Sequence, residues 1–368
     1  MIGHTFGLYL AFAFMRSILL VFLLFLSLIV TIDLFELSRE FSRIEDSSAI
    51  QMLQIALYRA PNFARNIFPF AVMFGAAAAL LMLNRRLELV VARASGLSVW
   101  QFLLPFGATA VALGLISSLI YNPLSLAGIE ASRAIEGAVF GKVEGNFSNK
   151  SNNFWLRVNQ RRGDVIVRAR VAEQGGQKLS AVSVYQFNTE GTVAQRIDAK
   201  TAEFQTVRRG QNHYILRDAV RSIPGQQSVR EAEFELPVDI SARSLVASQT
   251  RAEDVSFWRL LGRAQQAEQA GKNPLPFITQ FHSLLAQPLL FVAMMLLAAT
   301  VSLRFARFGQ DAKAIAAGIG AGFVLYVCSR MVITFGSNGL VDPFIAAWSP
   351  AIVGTLISAT VLLHQEDG

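Results

Sequence analysis

Apolar residues collect into runs long enough to cross a bilayer, and polar residues collect between them. A hydrocarbon core of about 30 Å needs a helix of about 20 apolar residues, and a window of that length finds six such runs. The first covers residues 8–32, interrupted only by Arg16; the second covers 63–83 and holds Pro69 and Gly75; the third covers 102–120. Next comes a polar block at 123–277, and then runs at 277–303, 314–335 and 343–363. The pattern predicts three membrane helices, an insert, and three more. The amphipathic runs that a large soluble core places beside its buried helices are nearly absent. The first run is too long for the apolar core of a cleavable leader and has only His4 before it, so it is expected to stay as a membrane helix.

The insert has a different period. WLRV, DVIVRARV, LSAVSVYQF, AQRIDAKTAEFQ, HYILRDAVRS and VREAEFELPVDI alternate apolar and polar positions. Turn signals separate them at Arg162-Gly163-Asp164, Gly175-Gly176, Glu190-Gly191, Arg209-Gly210 and Pro224-Gly225. Short strands at this spacing predict an all-β domain, a sandwich or jellyroll. Thr250-Arg251-Ala252-Glu253 has capping-box spacing. It is expected to open a short amphipathic helix with Phe257, Leu260, Leu261 and Ala264 on one face, ended by Gly271 and Pro274. The fold class is therefore an α-helical membrane protein, three plus three helices, with an inserted jellyroll-like domain. The expected domains are 1–122, 123–249, 250–276 and 277–368.

Composition agrees with this division. Charged residues make up 16% of the 368 and apolar ones 53%, with mean hydropathy +0.41, too little charge to cover a soluble protein of this size. Residues 123–277 hold 21 Lys and Arg against 16 Asp and Glu, most of the net +7. In so apolar a chain that excess makes a membrane and an anionic lipid the expected partners rather than nucleic acid. Basic residues in short loops mark the cytoplasmic side. Arg85, Arg86 and Arg93 lie between the second and third spans, and Arg304, Arg307 and Lys313 between the fourth and fifth. Both termini are then cytoplasmic and the insert faces outward.

Several chemistries are missing from the sequence. His4, His213, His282 and His364 are scattered, and Cys328 is alone, so no metal site is expected. There is no Walker A run for ATP, no H-E-x-x-H and no G-x-S-x-G. The spans carry no central acid to relay protons. The chain is expected to have no catalytic residues and no cofactor of its own, so any energy must come from a partner.

One stretch stands out. Between Asn84 and Trp100, Arg85, Arg86, Glu88 and Arg93 punctuate an apolar frame that ends at Ser95-Gly96. Such a helix presents charge to a partner while its apolar face lies in a groove or on the membrane; as a bare topology anchor it would need only the arginines. The run LNRRLELVVARASGLSVWQ, with PFAVMFGAAAALL before it and YNPL after it, resembles the LptF/LptG permease family of the lipopolysaccharide exporter. The form R-R-x-E-L-V-V-x-x-A-S-G-x-S at 85–98 is more similar to the LptG branch than to LptF. The resemblance implies an ABC transporter half that pairs with LptF and docks two LptB ATPases, which hold the ATP and Mg. LptC joins, and lipopolysaccharide passes from the outer leaflet of the inner membrane through the periplasmic β domain towards LptC and LptA. In that family the helix after the second span enters a groove of the ATPase, which maps onto Arg85, Arg86, Glu88, Arg93, Ser95 and Gly96.

Substrate contacts are expected on chemical grounds. Lipid A carries phosphates, and guanidinium groups suit them. The candidates are Arg39, Arg43, Arg133 and Arg330, the last within a span, where a charge is costly and faces a cavity or reaches for the interface. Asp33, at the outer end of the first span, is an anion in this basic neighbourhood and is expected either to oppose the substrate or to pair with an arginine. A different class of function, a membrane scaffold whose β domain binds a periplasmic protein, is separated from an exporter subunit by whether its loss strands lipopolysaccharide in the inner membrane.

Overall fold

The computed structural model describes residues 4–42, 48–140, 151–160, 163–173, 178–188, 192–206, 212–225, 227–238, 251–269, 272–308 and 312–367. They divide into two units, one of residues 1–135 and 251–368, the other of residues 136–250. Among the described residues, six helices are long and apolar enough to cross a membrane.

In the first unit these are α1 (His4–Phe41), α3 (Phe68–Arg85), α5 (Val99–Ile116), α8 (Leu275–Phe308), α9 (Ala312–Ser337) and α10 (Pro343–Asp367). Between them lie α2 (Ala49–Ala64), α4 (Glu88–Ala94) and α7 (Leu260–Gln269). The third span does not stop near residue 120. A π-turn at Ser117–Tyr121 carries it into α6 (Asn122–Phe140), so helix occupies the start of the polar block, ahead of the alternating segments. A second difference is α2, an amphipathic helix beside a span. It buries Ile55, Ala56, Ala60 and Ala64, and Ser48 and Gln51 form a capping box at its start. Its apolar positions are too few and too mixed with Gln, Asn and Arg for a 20-residue hydropathy window to register.

The bundle packs on small residues. A Cβ on Gly75 would lie 2.7 Å from the Ile18 backbone, so α1 and α3 meet at their main chains. Likewise a Cβ on Gly114 would collide with Cα of Pro288, the contact that joins α5 to α8. Pro288 has no N–H, so the Leu284 carbonyl one turn earlier loses its helical donor. The Ser118 hydroxyl donates to that carbonyl oxygen at 2.6 Å and replaces it. Gln287 sits beside it, 2.8 Å from Ser118 and donating to Ser117 Oγ at 3.1 Å. The π-turn places both serines where α8 needs them.

Thr250, the expected cap, and Gly271, one of the two expected stops, lie outside the described residues. Beyond Arg251 the chain forms a 3-10 turn at Ala252–Asp254, a second at Phe257–Arg259, and then α7. Phe257, Leu260 and Ala264 are buried, but Leu261 of the expected face is exposed. The second turn docks on the π-turn: Phe257 N–H donates to Asn122 Oδ1 at 3.0 Å and Trp258 Nε1 to the Leu119 carbonyl at 3.1 Å.

The second unit is one antiparallel sheet in the order β1-β2-β3-β4-β5-β6, with strands Ser151–Gln160, Gly163–Glu173, Lys178–Phe187, Val193–Thr206, Asn212–Ser222 and Val229–Val238. These match the six alternating segments. Neighbours in sequence are neighbours in the sheet throughout, compatible with one layer of a jellyroll. Strict alternation fails along one line, however. The buried residues run Leu179 then Val182 and Val184 on β3, Ile197 and Ala199 then Ala202 on β4, and Tyr214 and Leu216 then Ala219 on β5. The one-residue slips fall at Ala181 (φ 53), Lys200 and Asp218 (φ 58). These positions face one another, and the register is the same on either side of them; the β3–β4 pairing shifts only farther along, between Gln186 and Phe187. Aligned extra residues bend a sheet across its strands without shifting its pairing.

Both units offer a test of these contacts. Ser118→Ala strips the Leu284 carbonyl of its donor and is expected to cost about 1–2 kcal/mol, whereas in a Pro288→Ala background the restored N–H makes the same change nearly silent. Thermal melts of the four proteins read the cycle, and an equal penalty in both backgrounds contradicts it. In the sheet, Lys200 and Arg230 hold the Asp218 carboxylate at 2.6 and 2.8 Å. Those hydrogen bonds, Lys200's first, draw its pKa down to about 2. A depressed folded value means that the contribution is complete above the unfolded value of about 3.9 and is lost as pH falls through about 2. Hydrogen exchange in β4 and β5 should therefore accelerate across that window. Asp218→Asn, which tolerates the left-handed backbone, should remove that pH dependence.

Candidate functional site

The sequence candidates fall at opposite ends of the helical unit. At one end, α3 ends at Arg85 and the chain turns through Leu87, whose φ of 63 is left-handed, into α4. Leu89 and Ala92 anchor α4 in the core. Its other face is bare: Leu87 is 62% exposed and Val91 67%, and Arg85, Arg86 and Arg93 stand exposed around them. Glu88 is tied down, since Tyr9 of α1 donates its hydroxyl to Glu88 Oε1 at 3.1 Å.

Ser95 and Gly96 act through the backbone. The Gly96 N–H donates to the Arg93 carbonyl at 2.9 Å and the Leu97 N–H to the Ala92 carbonyl at 3.2 Å, the paired bonds of a Schellman ending. Gly96 takes φ 87, which a side chain would strain. Ser95 Oγ donates back to the Ala92 carbonyl at 2.8 Å. Two residues on, Ser98 caps α5 in a box with Gln101. The Ser-Gly-x-Ser run thus ends one helix and starts the next within four residues, and that fixes the angle at which α4 is presented.

At the other end, a cavity of about 280 Å³ opens among the ends of α2, α3, α5 and the residues of α8, α9 and α10 that face them. Arg330 reaches it from α9. Its Nη2 donates to Asn66 Oδ1 at 3.2 Å and its guanidinium carbon lies 6.0 Å from the Tyr326 ring centre. Of the expected residues that are described, it alone lines this cavity. Arg133, on α6, approaches Asp254 at 3.9 Å; Arg39 is exposed in the last turn of α1; Arg43 lies outside the described residues. Asp33 is buried and pairs with Arg59 of α2 at 3.6 Å, so this acid is partnered by an arginine.

The fold adds residues that the linear pattern hid. Arg65, just past α2, donates to the Glu253 carbonyl at 3.2 Å. Burial pushes its pKa down, while Glu253 and Asp254 act in the opposite direction. Asn122 of the YNPL run is 1% exposed; its Oδ1 accepts from Phe257, which leaves Nδ2 without a partner among the described residues at the cavity wall. Asn62 Oδ1 is also buried there without one. The Ser48-x-x-Gln51 spacing was the available signal for α2, and through it for Asn62 and Arg65.

Known proteins share this chain's sequence over most of its length. A family model described as "Lipopolysaccharide export system permease LptF/LptG" matches residues 8–364. The lipopolysaccharide export system permease protein LptG of Escherichia coli strain K12 is 25% identical over 327 residues, 84% of this chain and 84% of that protein. The LptG protein of Escherichia coli O6:H1 matches to the same extent.

Gly96→Ala tests the presentation of α4. A side chain at φ 87 is expected to cost about 1–2 kcal/mol, and the amides of Gly96 and Leu97 should exchange roughly tenfold faster. Unchanged exchange at both amides would show that the ending does not depend on glycine.

Proposed function

The chain belongs to the LptF/LptG family of lipopolysaccharide export system permeases, multi-pass proteins of the inner membrane, and from that premise we propose that it is the LptG-type half of the exporter. The 84% coverage of the LptG relatives in both directions supports that branch. In this reading it pairs with LptF, two LptB subunits bind and hydrolyse ATP with Mg, and LptC completes the inner-membrane assembly. Lipopolysaccharide leaves the outer leaflet and passes along the β domain, on the periplasmic side, to LptC and LptA. Both termini and α4 lie in the cytoplasm.

The observation that carries the proposal is the bare face of α4. Exposed Leu87, Val90 and Val91 framed by Arg85, Arg86 and Arg93 form an apolar ridge with a basic rim, anchored from behind by Leu89 and Ala92. A short helix of that form fits a groove on a partner, and a chain without a Walker motif needs an ATPase there. The Schellman ending and the Tyr9 bond to Glu88 hold the ridge in one orientation, so the partner meets a preformed surface. At the outer face Arg39, Arg43, Arg133 and Arg330 supply guanidinium groups for the phosphates of lipid A. Arg330 is the best placed of them, being exposed and already directed to a polar cavity.

Arg86→Glu and Glu88→Ala are each expected to reduce recovery of the ATPase with the affinity-purified permease at least fivefold while membrane insertion is unchanged. Full recovery with both variants would remove the docking assignment. Arg330→Glu should lower photocrosslinking of lipopolysaccharide to a probe placed in α9, and equal crosslinking would remove Arg330 from the substrate path.

A further inference from the structure

We propose that the cavity behind Arg330 is a resident binding site for the headgroup of a zwitterionic glycerophospholipid, of the phosphoethanolamine class, held within the helical unit of this one chain. It rests on this chain's own side chains and not on the exporter reading. Asn122 presents an orphaned amide to the cavity. The residue is 1% exposed and its orientation is fixed, because Oδ1 accepts the Phe257 N–H at 3.0 Å. Its Nδ2 is a buried donor at the cavity wall with no acceptor among the described residues, and a buried amide without a partner is costly. An oxygen-rich group in the cavity removes that cost.

Charge points to the same class of ligand. Arg65 and Arg330 line the cavity with Asn122 and supply the donors that a phosphate takes. Among the described residues neither guanidinium closes a salt bridge with a carboxylate, although Glu253 and Asp254 act on Arg65 through space. Arg65 donates to a backbone carbonyl and Arg330 to the Asn66 amide oxygen. Glu253 and Asp254 line the same cavity, and Asp254 meets only the far edge of an ion pair, with Arg133 at 3.9 Å. Asn62 Oδ1 adds a buried acceptor. A phosphate alone competes with these acids for Arg65; a phosphate with an ammonium group two carbons away satisfies both sets. About 280 Å³ admits a headgroup of that size.

The test uses the full chain purified in detergent with whatever subunits accompany it, incubated with phosphatidylethanolamine or phosphatidylglycerol, and retained lipid counted by native mass spectrometry. Phosphatidylethanolamine is expected to be retained about fivefold over phosphatidylglycerol. Asn122→Asp keeps the acceptor for Phe257 but sets a carboxylate against the phosphate, and should lower retention at least fivefold. Arg65→Gln should do the same, and Arg263→Gln on α7 should have no effect. The double change Glu253→Gln with Asp254→Asn should abolish the preference between the two lipids. Equal retention of both lipids by the unaltered protein overturns the headgroup class, and wild-type retention by Asn122→Asp and Arg65→Gln together overturns the site. Recovery of the ATPase, measured on the same samples, reports on the exporter reading separately, since none of these residues lies near α4.

Discussion

The helical unit depends on how one backbone carbonyl is satisfied where water is scarce. In a membrane every polar backbone group must find its partner within the protein, and Pro288 removes the donor that Leu284 would have had. The Ser118 hydroxyl supplies a replacement, but only because the π-turn at Ser117–Tyr121 turns two serines toward α8 and Gly114 lets the helices close to main-chain contact. The same turn leaves the Leu119 carbonyl for Trp258 and sets Asn122 to receive Phe257. One irregularity thus joins α5, α6, α8 and the segment leading to α7. The cavity that Arg330 lines is framed by these elements, so its shape depends on the repair of a proline.

At the opposite end the governing constraint is conformational. Glycine at φ 87 and leucine at φ 63 bracket a helix of seven residues, too short to be stable on its own in water. It persists because Leu89 and Ala92 are buried, because the Schellman bonds close its end, and because Tyr9 holds its first residue. A surface built this way is rigid without a large core of its own, and rigidity reduces the entropy lost when a partner binds.

The sequence was legible where one physical signal dominated. Run length was enough for six spans, period two for six strands, and charges set in an apolar frame for the α4 segment. It was less legible where two signals competed. α2 carries Ile55 and Ala60 on a buried face, yet its Gln, Asn and Arg residues dilute its hydropathy. α6 reads as polar loop because Ser125, Ser132 and Glu130 interrupt it, although the helix simply continues through a π-turn. In the sheet, the slips at Ala181, Lys200 and Asp218 are invisible to a period-two count on either side of them. The cavity residues were the hardest. Arg330 showed itself as a charge inside a span, but Arg65 and Asn122 become meaningful only when chain segments far apart in sequence converge.

These two ends are joined by α3. Its 18 residues make a rod of about 27 Å at 1.5 Å per residue. Arg85 and the turn into α4 close one end; Pro69 and, just before the helix, Asn66 border the cavity at the other. Along the way Gly75 and Ala76, Ala79 and Leu80 pack into the core against α1 and α8. Small residues at main-chain distance hold α3 close against α1. Asn66, just before the helix, accepts the hydrogen bond from Arg330 of α9. A single helix thus separates the basic ridge from the hydrogen bond that orients the Arg330 guanidinium at the cavity, and both sites depend on how that one helix is packed.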